Sequence, residues 1–301
     1  MVVAAAGARL SVAEVFAPGI VSRADRIESC PAMTPDGREF YFTVRQSPGK
    51  WAIYVSRAAE EGWTEPQLAP FSGGASDLEP FVSPDGRRLF FTSNRPFSPE
   101  DRPRGDYDIW FVERERGGWG RPRNAGPQVN FSGDQWRPSV SRNGNLYFSS
   151  QGLWRAEPAD DGYAPANKIS DFAQNPTILG GHPYVAPDES YILTSWMMGP
   201  GRKGGWDLYV SFRRPDGTWT PSKNVGETVN TEANEDFPLV SPDGRFLFFS
   251  RYTKETDGRE QGDIYRVAVD FLERLRDGPF SRCLPRGRLL AEDSQDFRGR
   301  R

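Results

Sequence analysis

The stretch PFVSPDGRRLFFTSNR, residues 80–95, contains a proline, a short apolar run, a Pro-Asp-Gly turn and a second apolar run that ends in Thr and Ser. The same order of features occurs four more times in the chain. The other copies are PAMTPDGREFYFTV from Pro31, PSVSRNGNLYFSS from Pro138, PYVAPDESYILTSW from Pro183 and PLVSPDGRFLFFSR from Pro238. Five copies of one unit determine the architecture before any single residue is considered.

The repeat prolines lie 49, 58, 45 and 55 residues apart, a period typical of one small antiparallel sheet per repeat. A third apolar strand follows the two runs of each unit, and a fourth strand follows in four of the five units. The segment VAEVFAPGIVS from Val12 has the pattern of apolar residues followed by Pro and Gly that is expected of the missing fourth strand. We therefore predict an all-β, five-bladed β-propeller of four-stranded antiparallel blades, closed by an N-terminal strand that completes the last blade. Six blades remain an alternative if the N-terminal segment and the C-terminal tail form a degenerate unit.

Composition agrees with one globular body. The 301 residues are 37% hydrophobic and include 31 Gly and 26 Pro, which suits many short strands joined by tight turns. No linker separates the repeats, so we predict a single β-propeller domain over residues 1–276. Residues 277–301 are charged and follow no repeat pattern, and we expect an irregular or disordered tail there.

Three phrases resemble a known family: SPDGRRLFFTSNR, DIWFVERERGGWGRPRNAG and NTEANEDFPLVSPDGRFLFFS, the last followed by GDIYRVAVDFLERL. They are similar to the TolB-type, WD-like β-propeller repeats of bacterial envelope proteins. The resemblance covers roughly residues 12–276 and implies the propeller fold, but this repeat supports many unrelated activities. The third repeat departs from the pattern at Arg142-Asn143-Gly144, and the fourth at Asp188-Glu189-Ser190.

Charge and composition exclude several kinds of partner. The formal net charge of −3, without a basic run, argues against nucleic acid, and the alanine-rich start is too short for a membrane span. The resemblance favours a periplasmic or secreted protein, whereas a chain complete as given would be cytoplasmic. Cys30 and Cys283 are expected to be unpaired, and one histidine with two distant cysteines indicates neither a metal site nor a cofactor. We expect a monomer.

The loops at the two ends of the propeller differ. The Pro-Asp-Gly turns are short and uniform, whereas the other face carries long variable loops after the second strands, and binding is usually found on such loops. On that face, the residues directly before the repeat prolines, and those three positions earlier, should line the mouth of the central channel. They vary between blades, as a polar ligand site requires. The ligand-binding candidates among them are Glu28, Asp77, Glu79, Gln135, Arg137, His182, Glu235 and Phe237.

The sequence predicts one further ligand-binding residue and one set of ion pairs. Trp196, on a variable loop beside Met197 and Met198, is a further ligand-binding candidate. The arginines that follow second strands, Arg45, Arg95 and Arg251, are expected to pair with aspartates that open third strands. Those aspartates are Asp108, Asp207 and Asp263.

Two functional hypotheses remain. The first is a recognition or scaffold module that binds a polar small molecule, a glycan, a peptide or a protein partner on the variable-loop face. The second is an enzyme, a hydrolase or lyase that could act on glycosides. Its catalytic residues would be His182, Arg137 and a carboxylate such as Glu79, because His182 is the single histidine able to transfer protons near neutral pH. An enzyme requires His182 beside a carboxylate and facing an open pocket, and no motif assigns the individual roles.

Overall fold

The computed structural model describes residues 12–97, 105–169, 180–254 and 258–276. These residues form five antiparallel sheets, arranged as blades around a central channel. The innermost strands of successive blades contact one another, and the innermost strand of the fifth blade contacts that of the first. The predicted five-bladed, all-β propeller is confirmed. The predicted tail over residues 277–301, with Cys283, lies outside the described residues.

The strands of each blade follow chain order from the channel outward. The first strand, β1 (Glu14–Val15), belongs to the fifth blade. The first blade contains β2 (Glu28–Met33), β3 (Glu39–Ser47), β4 (Lys50–Arg57) and β5 (Gln67–Leu68). The second contains β6 (Asp77–Val82), β7 (Arg88–Ser93), β8 (Asp108–Glu115), the short β9 (Gly118–Trp119), and β10 (Arg123–Asn124).

The remaining blades repeat this order. The third contains β11 (Trp136–Val140), β12 (Leu146–Ser149) and β13 (Leu153–Ala156), a hairpin of β14 (Pro158–Ala159) with β15 (Gly162–Tyr163), and β16 (Asn167–Lys168). The fourth contains β17 (Gly180–Val185), β18 (Tyr191–Trp196), β19 (Asp207–Phe212) and β20 (Lys223–Asn224). The fifth contains β21 (Asn234–Val240), β22 (Phe246–Lys254) and β23 (Glu260–Ala268), and α1 (Asp270–Arg276) follows it.

The ring closes where the N-terminal strand meets the last blade. Strand β1 pairs antiparallel with β23, with Glu14 opposite Arg266. The Arg266 guanidinium also binds the Glu14 carboxylate at 2.7 Å. The predicted closure is confirmed, and the N-terminal segment completes the fifth blade rather than starting a sixth. Short outer strands are thus sufficient to pair the edge that an open array would expose.

The Pro-Asp-Gly turns are held by hydrogen bonds from the hydroxyl two residues before the Asp. Thr34 Oγ1 donates to Asp36 Oδ1 at 2.6 Å, and Ser83 Oγ donates to Asp85 Oδ1 at 2.6 Å. The glycine that follows adopts positive φ, for example 69° at Gly37. Residues other than glycine rarely adopt this backbone conformation. These local requirements explain why the turn sequence recurs.

Aromatic side chains fill the spaces between blades. The Trp119 indole of the second blade donates a hydrogen bond to the Tyr41 hydroxyl of the first at 2.7 Å. Trp63 of the first blade packs edge-on against Phe16, which follows β1. Trp219 of the fourth blade is buried in a cluster with Tyr147 of the third. The tryptophans at the starts of the fourth-strand segments therefore pack between blades.

Among the residues that the structure describes, no helix has the length and apolar character needed to cross a membrane.

Replacement of Phe16 tests the closing junction. Its ring is 3% exposed and lies 4.6 Å from the Phe40 ring and 5.0 Å from the Phe248 ring, measured between centroids. Phe16→Ala leaves a cavity between the first and fifth blades, so we expect the free energy of unfolding in urea to fall by about 3–5 kcal/mol. Val12→Ala, at a residue 72% exposed, is the control and should change stability by less than about 0.5 kcal/mol. Equal stabilities of the two variants would contradict the described closure.

Candidate functional site

Each innermost strand contains one residue with left-handed backbone, directly before the repeat proline. The φ angles of these five residues lie between 42° and 57°, and each is accompanied by a shift of register against the second strand. Left-handed backbone at a residue other than glycine costs on the order of 1–3 kcal/mol. The β-bulge turns the residue out of the regular alternation of the strand. We call this set the channel ring; its members are Cys30, Glu79, Arg137, His182 and Phe237.

A hydroxyl residue of the second strand lies beside the bulge in every blade. Two of these hydroxyls accept a hydrogen bond from the backbone of the next blade: Cys30 N donates to Ser250 Oγ at 3.0 Å, and Glu79 N donates to Thr43 Oγ1 at 3.1 Å. The Thr or Ser that ends the second apolar run therefore links neighbouring blades. The full set is Thr43, Thr92, Ser149, Ser195 and Ser250.

In two other blades a carboxylate is inserted into this link. Glu79 Oε2 accepts from Thr92 Oγ1 at 2.8 Å and from the backbone N of Arg137 at 2.6 Å. In the same manner, Asp236 Oδ1 accepts from Ser195 Oγ and from the backbone N of Phe237, the latter at 2.7 Å. Both carboxylates thus satisfy buried donors of the scaffold, which would be costly to leave unpaired.

Arg137 crosses the channel and is fully buried. One terminal nitrogen, Nη2, donates to the backbone carbonyls of Pro31 at 3.3 Å and Pro238 at 3.0 Å, in the first and fifth blades. Its guanidinium also lies 5.7 Å from the centre of the Phe237 ring. Burial lowers the pKa of Arg137, while Cys30, Glu79 and Asp236 act in the opposite direction. The side chain joins three blades and contacts no solvent.

His182 is more exposed to solvent than Glu79 and Arg137, the two other charged or titratable oxygen and nitrogen groups of the channel ring. Its side chain is 20% exposed. Its Nδ1 lies 2.8 Å and 3.0 Å from the two carboxylate oxygens of Asp236. The imidazole stacks on the Phe237 ring at 4.5 Å and on Trp206 at 5.7 Å, measured between centroids. On the opposite side, Nε2 lies 3.9 Å from Glu79 Oε1. This geometry fixes the ring plane and directs Nε2 toward Glu79.

The environment of His182 favours the protonated imidazole. Burial opposes the charge, but the carboxylate of Asp236 and the more distant one of Glu79 outweigh burial and the repulsion from Arg137. Together they raise the pKa of His182 above its ordinary value of 6.5.

The candidates three positions before the prolines do not join the channel ring. Asp77 binds Arg95 at 2.7 Å, and Glu235 binds Arg251 at 2.8 Å, so these carboxylates are the partners of arginines in their own blades. The predicted pairing of Arg95 and Arg251 with Asp108, Asp207 and Asp263 is therefore wrong. In the fifth blade the antiparallel register places Arg251 between Glu235 and Asp263, and the guanidinium bonds the fully buried Glu235.

The other two candidates of this position are also bonded locally. Glu28 is fully buried and accepts from Arg26 Nε, and burial raises the pKa of Glu28 to about 7 although Arg26 opposes the shift. Gln135 is fully buried and donates to the carbonyls of Phe131 and Gly133. Arg45, the third arginine after a second strand, binds Glu260 of the fifth blade at 3.1 Å.

Trp196 and Cys30 lie apart from the exposed part of the site. Ser195 faces Asp236, and since successive strand residues point to opposite sides, Trp196 points to the other side of the fourth blade. There it contacts Tyr209 and donates a hydrogen bond to Thr194 Oγ1 at 2.6 Å. Cys30 is a buried free thiol, and burial raises its pKa.

Sequence reasoning missed three residues of the site: Asp236, Ser195 and Trp206. Asp236 stands two positions before Pro238, where an ordinary strand would direct it away from the channel. The β-bulge turns the Asp236 side chain toward the channel. The sequence contains no separate signal for this change of direction. The only available hint for Ser195 was the recurring hydroxyl at the end of the second run.

Two clefts occur away from the channel ring. One, of about 570 Å³, lies between the second and third blades on the Pro-Asp-Gly side, and the other, of about 1190 Å³, lies between the first and fifth blades. Neither is lined by a ring residue. Within the described part of the chain, no group of three His, Cys, Asp or Glu side chains is placed to hold a metal ion.

Comparison with known proteins identifies the fold and no more. No model of a protein family and no curated protein matches the sequence. An arabinanase from Bacillus subtilis has a similar structure, with 12% identity, a TM-score of 0.54, and coverage of 84% of this chain and 97% of the other. A glycoside hydrolase is similar at 10% identity and a TM-score of 0.55, over 82% and 89% of the two chains. A protein from Agrobacterium tumefaciens described as TolB matches at 16% identity and a TM-score of 0.48, over 81% and 83%. At these identities the likenesses show a β-propeller and no activity.

Truncation of Glu79 tests its role as a link between blades. Glu79→Ala leaves the donors of Thr92 and Arg137 unpaired and removes a negative charge beside the buried guanidinium, so we expect a loss of about 3–5 kcal/mol in the free energy of unfolding. Glu79→Gln keeps one acceptor oxygen and should lose less. The control, Glu61→Ala at an exposed position, should stay within about 0.5 kcal/mol of the wild type in urea unfolding. A Glu79→Ala protein as stable as this control would contradict the linking role.

The protonation of His182 can be followed directly because the chain contains one histidine. We expect the proton NMR titration of its imidazole to give a pKa above 6.5 and Asp236→Asn to lower it. Since the folded-state pKa is raised, the stabilisation is complete below the unfolded-state pKa near 6.5 and is lost as pH rises through the folded value. The stability advantage of the wild type over His182→Gln should therefore shrink with rising pH. A pKa at or below 6.5 in the wild type would refute the assigned Asp236 contact.

Proposed function

We propose that the protein is a recognition module that binds a glycan, a peptide or a protein partner on the variable-loop face, at the mouth of the central channel. One observation carries the proposal: nearly all ionisable groups of the channel ring are committed to the scaffold, while His182 and its aromatic neighbours remain partly accessible. This role agrees with the TolB-type repeat that the sequence resembles.

The commitment of the ring groups argues against catalysis. A catalytic acid, base or nucleophile must touch the substrate. Arg137 is fully buried, and the Glu79 side chain is 4% exposed. Glu79 Oε2 and Arg137 Nη2 each bond two groups of the scaffold. Nε and Nη1 of Arg137 have no hydrogen-bond partner among the described residues, but both atoms are buried away from solvent.

The accessible part of the ring suits binding. His182 presents its imidazole between Phe237 and Trp206, both of which are half-buried. Aromatic faces beside a charged tip provide apolar contact area and a hydrogen-bond donor in one place, as sugar rings and extended peptides require. Further along the same face, Met198 is 56% exposed on the loop after β18 and extends the apolar surface.

A second candidate function rests on the hydrogen bond between His182 and Asp236. A carboxylate at 2.8 Å orients the imidazole and leaves Nε2 facing Glu79 Oε1 at 3.9 Å, a separation that one substrate hydroxyl could bridge. In a hydrolase or lyase of this kind, His182 would transfer the proton, Glu79 would be the second catalytic carboxylate, and Arg137 would hold Glu79 through its backbone nitrogen.

Binding measurements distinguish the two functions. We expect at least one member of a panel of oligosaccharides and peptides to raise the melting temperature. A ligand at 100 times its Kd adds about 2.7 kcal/mol of stability. His182→Ala and Trp206→Ala should abolish the shift because they remove the donor and the stacking face. Trp154→Ala, at a half-buried tryptophan on the outer part of the third blade, is the matched control and should keep it.

Three outcomes of the same ligand panel would contradict the proposal or narrow it. A shift that survives both His182→Ala and Trp206→Ala would overturn the channel-mouth site. Turnover of a panel compound that is lost in His182→Ala, with a bell-shaped pH profile, would replace the recognition module by the enzyme. If no glycan or peptide binds the wild type, these two ligand classes are excluded.

A further inference from the structure

The cleft between the second and third blades lies on the opposite face from the channel mouth. We call it the turn-face cleft, and it has a volume of about 570 Å³, within the range of pockets that hold small ligands. Four arginines and two carboxylates line it, an excess of two positive charges in a protein of net charge −3. The charged residues are Asp85, Arg87, Arg88, Glu113, Arg114 and Arg142.

Two of the four arginines are already neutralised. Arg88 Nη2 lies 3.0 Å from Glu113 Oε1, and Arg114 Nη1 lies 2.8 Å from Glu39 Oε2. Arg87 and Arg142 are exposed and form no ion pair within the described part of the chain. Asp85 attracts the Arg87 guanidinium, so the net positive charge of the cleft comes mainly from Arg142 of the third blade, with a partly compensated contribution from Arg87 of the second.

Arg142 stands where the repeat has proline, and Asn143 stands where it has aspartate. Asn143 still accepts a hydrogen bond from Ser141 Oγ, as the aspartate does in the other turns. The turn thus keeps its conformation without the acidic charge and gains a basic one. The turn itself forms without the acidic charge at position 143, and the turn hydrogen bond does not require the basic side chain at position 142.

The neighbouring blade holds this turn in place. Glu189 occupies the left-handed position of the repeat glycine, with φ of 58°, and its Oε1 accepts from Ser141 Oγ at 3.0 Å and from Asn145 Nδ2 at 2.6 Å. The backbone N of Arg142 donates to the carbonyl of Pro187 at 2.8 Å. The altered turn of the third repeat and the altered turn of the fourth repeat therefore bond to each other. These bonds fix the backbone from which the Arg142 side chain extends.

We propose that the turn-face cleft binds a small organic molecule carrying a tetrahedral oxyanion, a phosphate or sulfate group, between Arg87 and Arg142. Guanidinium groups bind such oxyanions through paired N–H donors. The organic part contacts Pro84, Pro158 and Tyr163, which belong to the lining. A long polyanion fits less well, because the net negative charge of the protein repels it outside the cleft.

Isothermal titration calorimetry at low salt tests the site with four probes: glucose 6-phosphate, inorganic phosphate, inorganic sulfate and glucose. We expect glucose 6-phosphate to bind with a Kd of about 1 mM or tighter. Phosphate and sulfate should bind more weakly, and glucose should not bind. Arg87→Glu and Arg142→Glu should each weaken the binding of glucose 6-phosphate about tenfold or more. The milder Arg142→Gln, checked for an unchanged melting temperature, guards against loss of folding.

Arg38 supplies the matched control. It follows the turn glycine of the first blade as Arg87 follows that of the second, and its backbone N donates to Asp36 at 3.0 Å as that of Arg87 donates to Asp85 at 3.0 Å. Arg38 is exposed on the same face but outside the cleft. Arg38→Glu should leave the Kd unchanged. Failure of all three anionic probes to bind, or an equal loss in Arg38→Glu, would overturn the proposal. Equal affinity for phosphate and glucose 6-phosphate would overturn the part assigned to the organic body.

Discussion

The left-handed bulge before each repeat proline determines how the blades join. It turns a backbone N–H of one blade toward its neighbour, where a hydroxyl or a carboxylate accepts it, as Ser250 does for Cys30 and Glu79 for Arg137. The proline that follows has no N–H to donate, which is tolerated at a bulge. At Cys30, Glu79 and Arg137 the strain is thereby compensated by hydrogen bonds that exist only when neighbouring blades are in contact.

These links limit what the channel can do. Charged side chains gathered around a propeller axis suggest chemistry, but here Glu79 and Arg137 replace or reinforce the hydroxyl links and lie out of contact with solvent. His182 differs because its carboxylate partner, Asp236, carries the structural link to Phe237, while the His182 side chain stays 20% exposed. Recognition at the mouth is therefore compatible with a closed ring, whereas catalysis inside it would disturb the scaffold.

The two faces of the propeller are specialised in different ways. The variable-loop face offers aromatic surface around His182, whereas the turn face offers exposed arginines in a cleft between rigid turns. On the turn face, Glu189 replaces a glycine in a left-handed position, and its carboxylate bonds Ser141 and Asn145 of the preceding blade in return. A departure from the repeat can thus be a second solution to the same structural requirement, and it changes the local charge without changing the fold.

The sequence alone determined the repeated blade and the order of its strands, because turn chemistry and alternating apolar residues act locally and recur five times. It predicted five blades closed by the N-terminal strand and left six open, and the pairing of β1 with β23 decided for five. It also identified the residues of the channel ring, since they stand at a fixed place before each proline. Only the tertiary structure decided their roles. The sequence predicted one site for Glu28, Asp77, Gln135 and Glu235 together with Glu79, but in the folded blades Asp77 and Glu235 form ion pairs with Arg95 and Arg251. The bulge brought in Asp236, which no local pattern marks, because its direction depends on contacts that exist only in the folded ring: Asp236 Oδ1 accepts from the backbone N of Phe237 in its own strand and from Ser195 Oγ of the fourth blade.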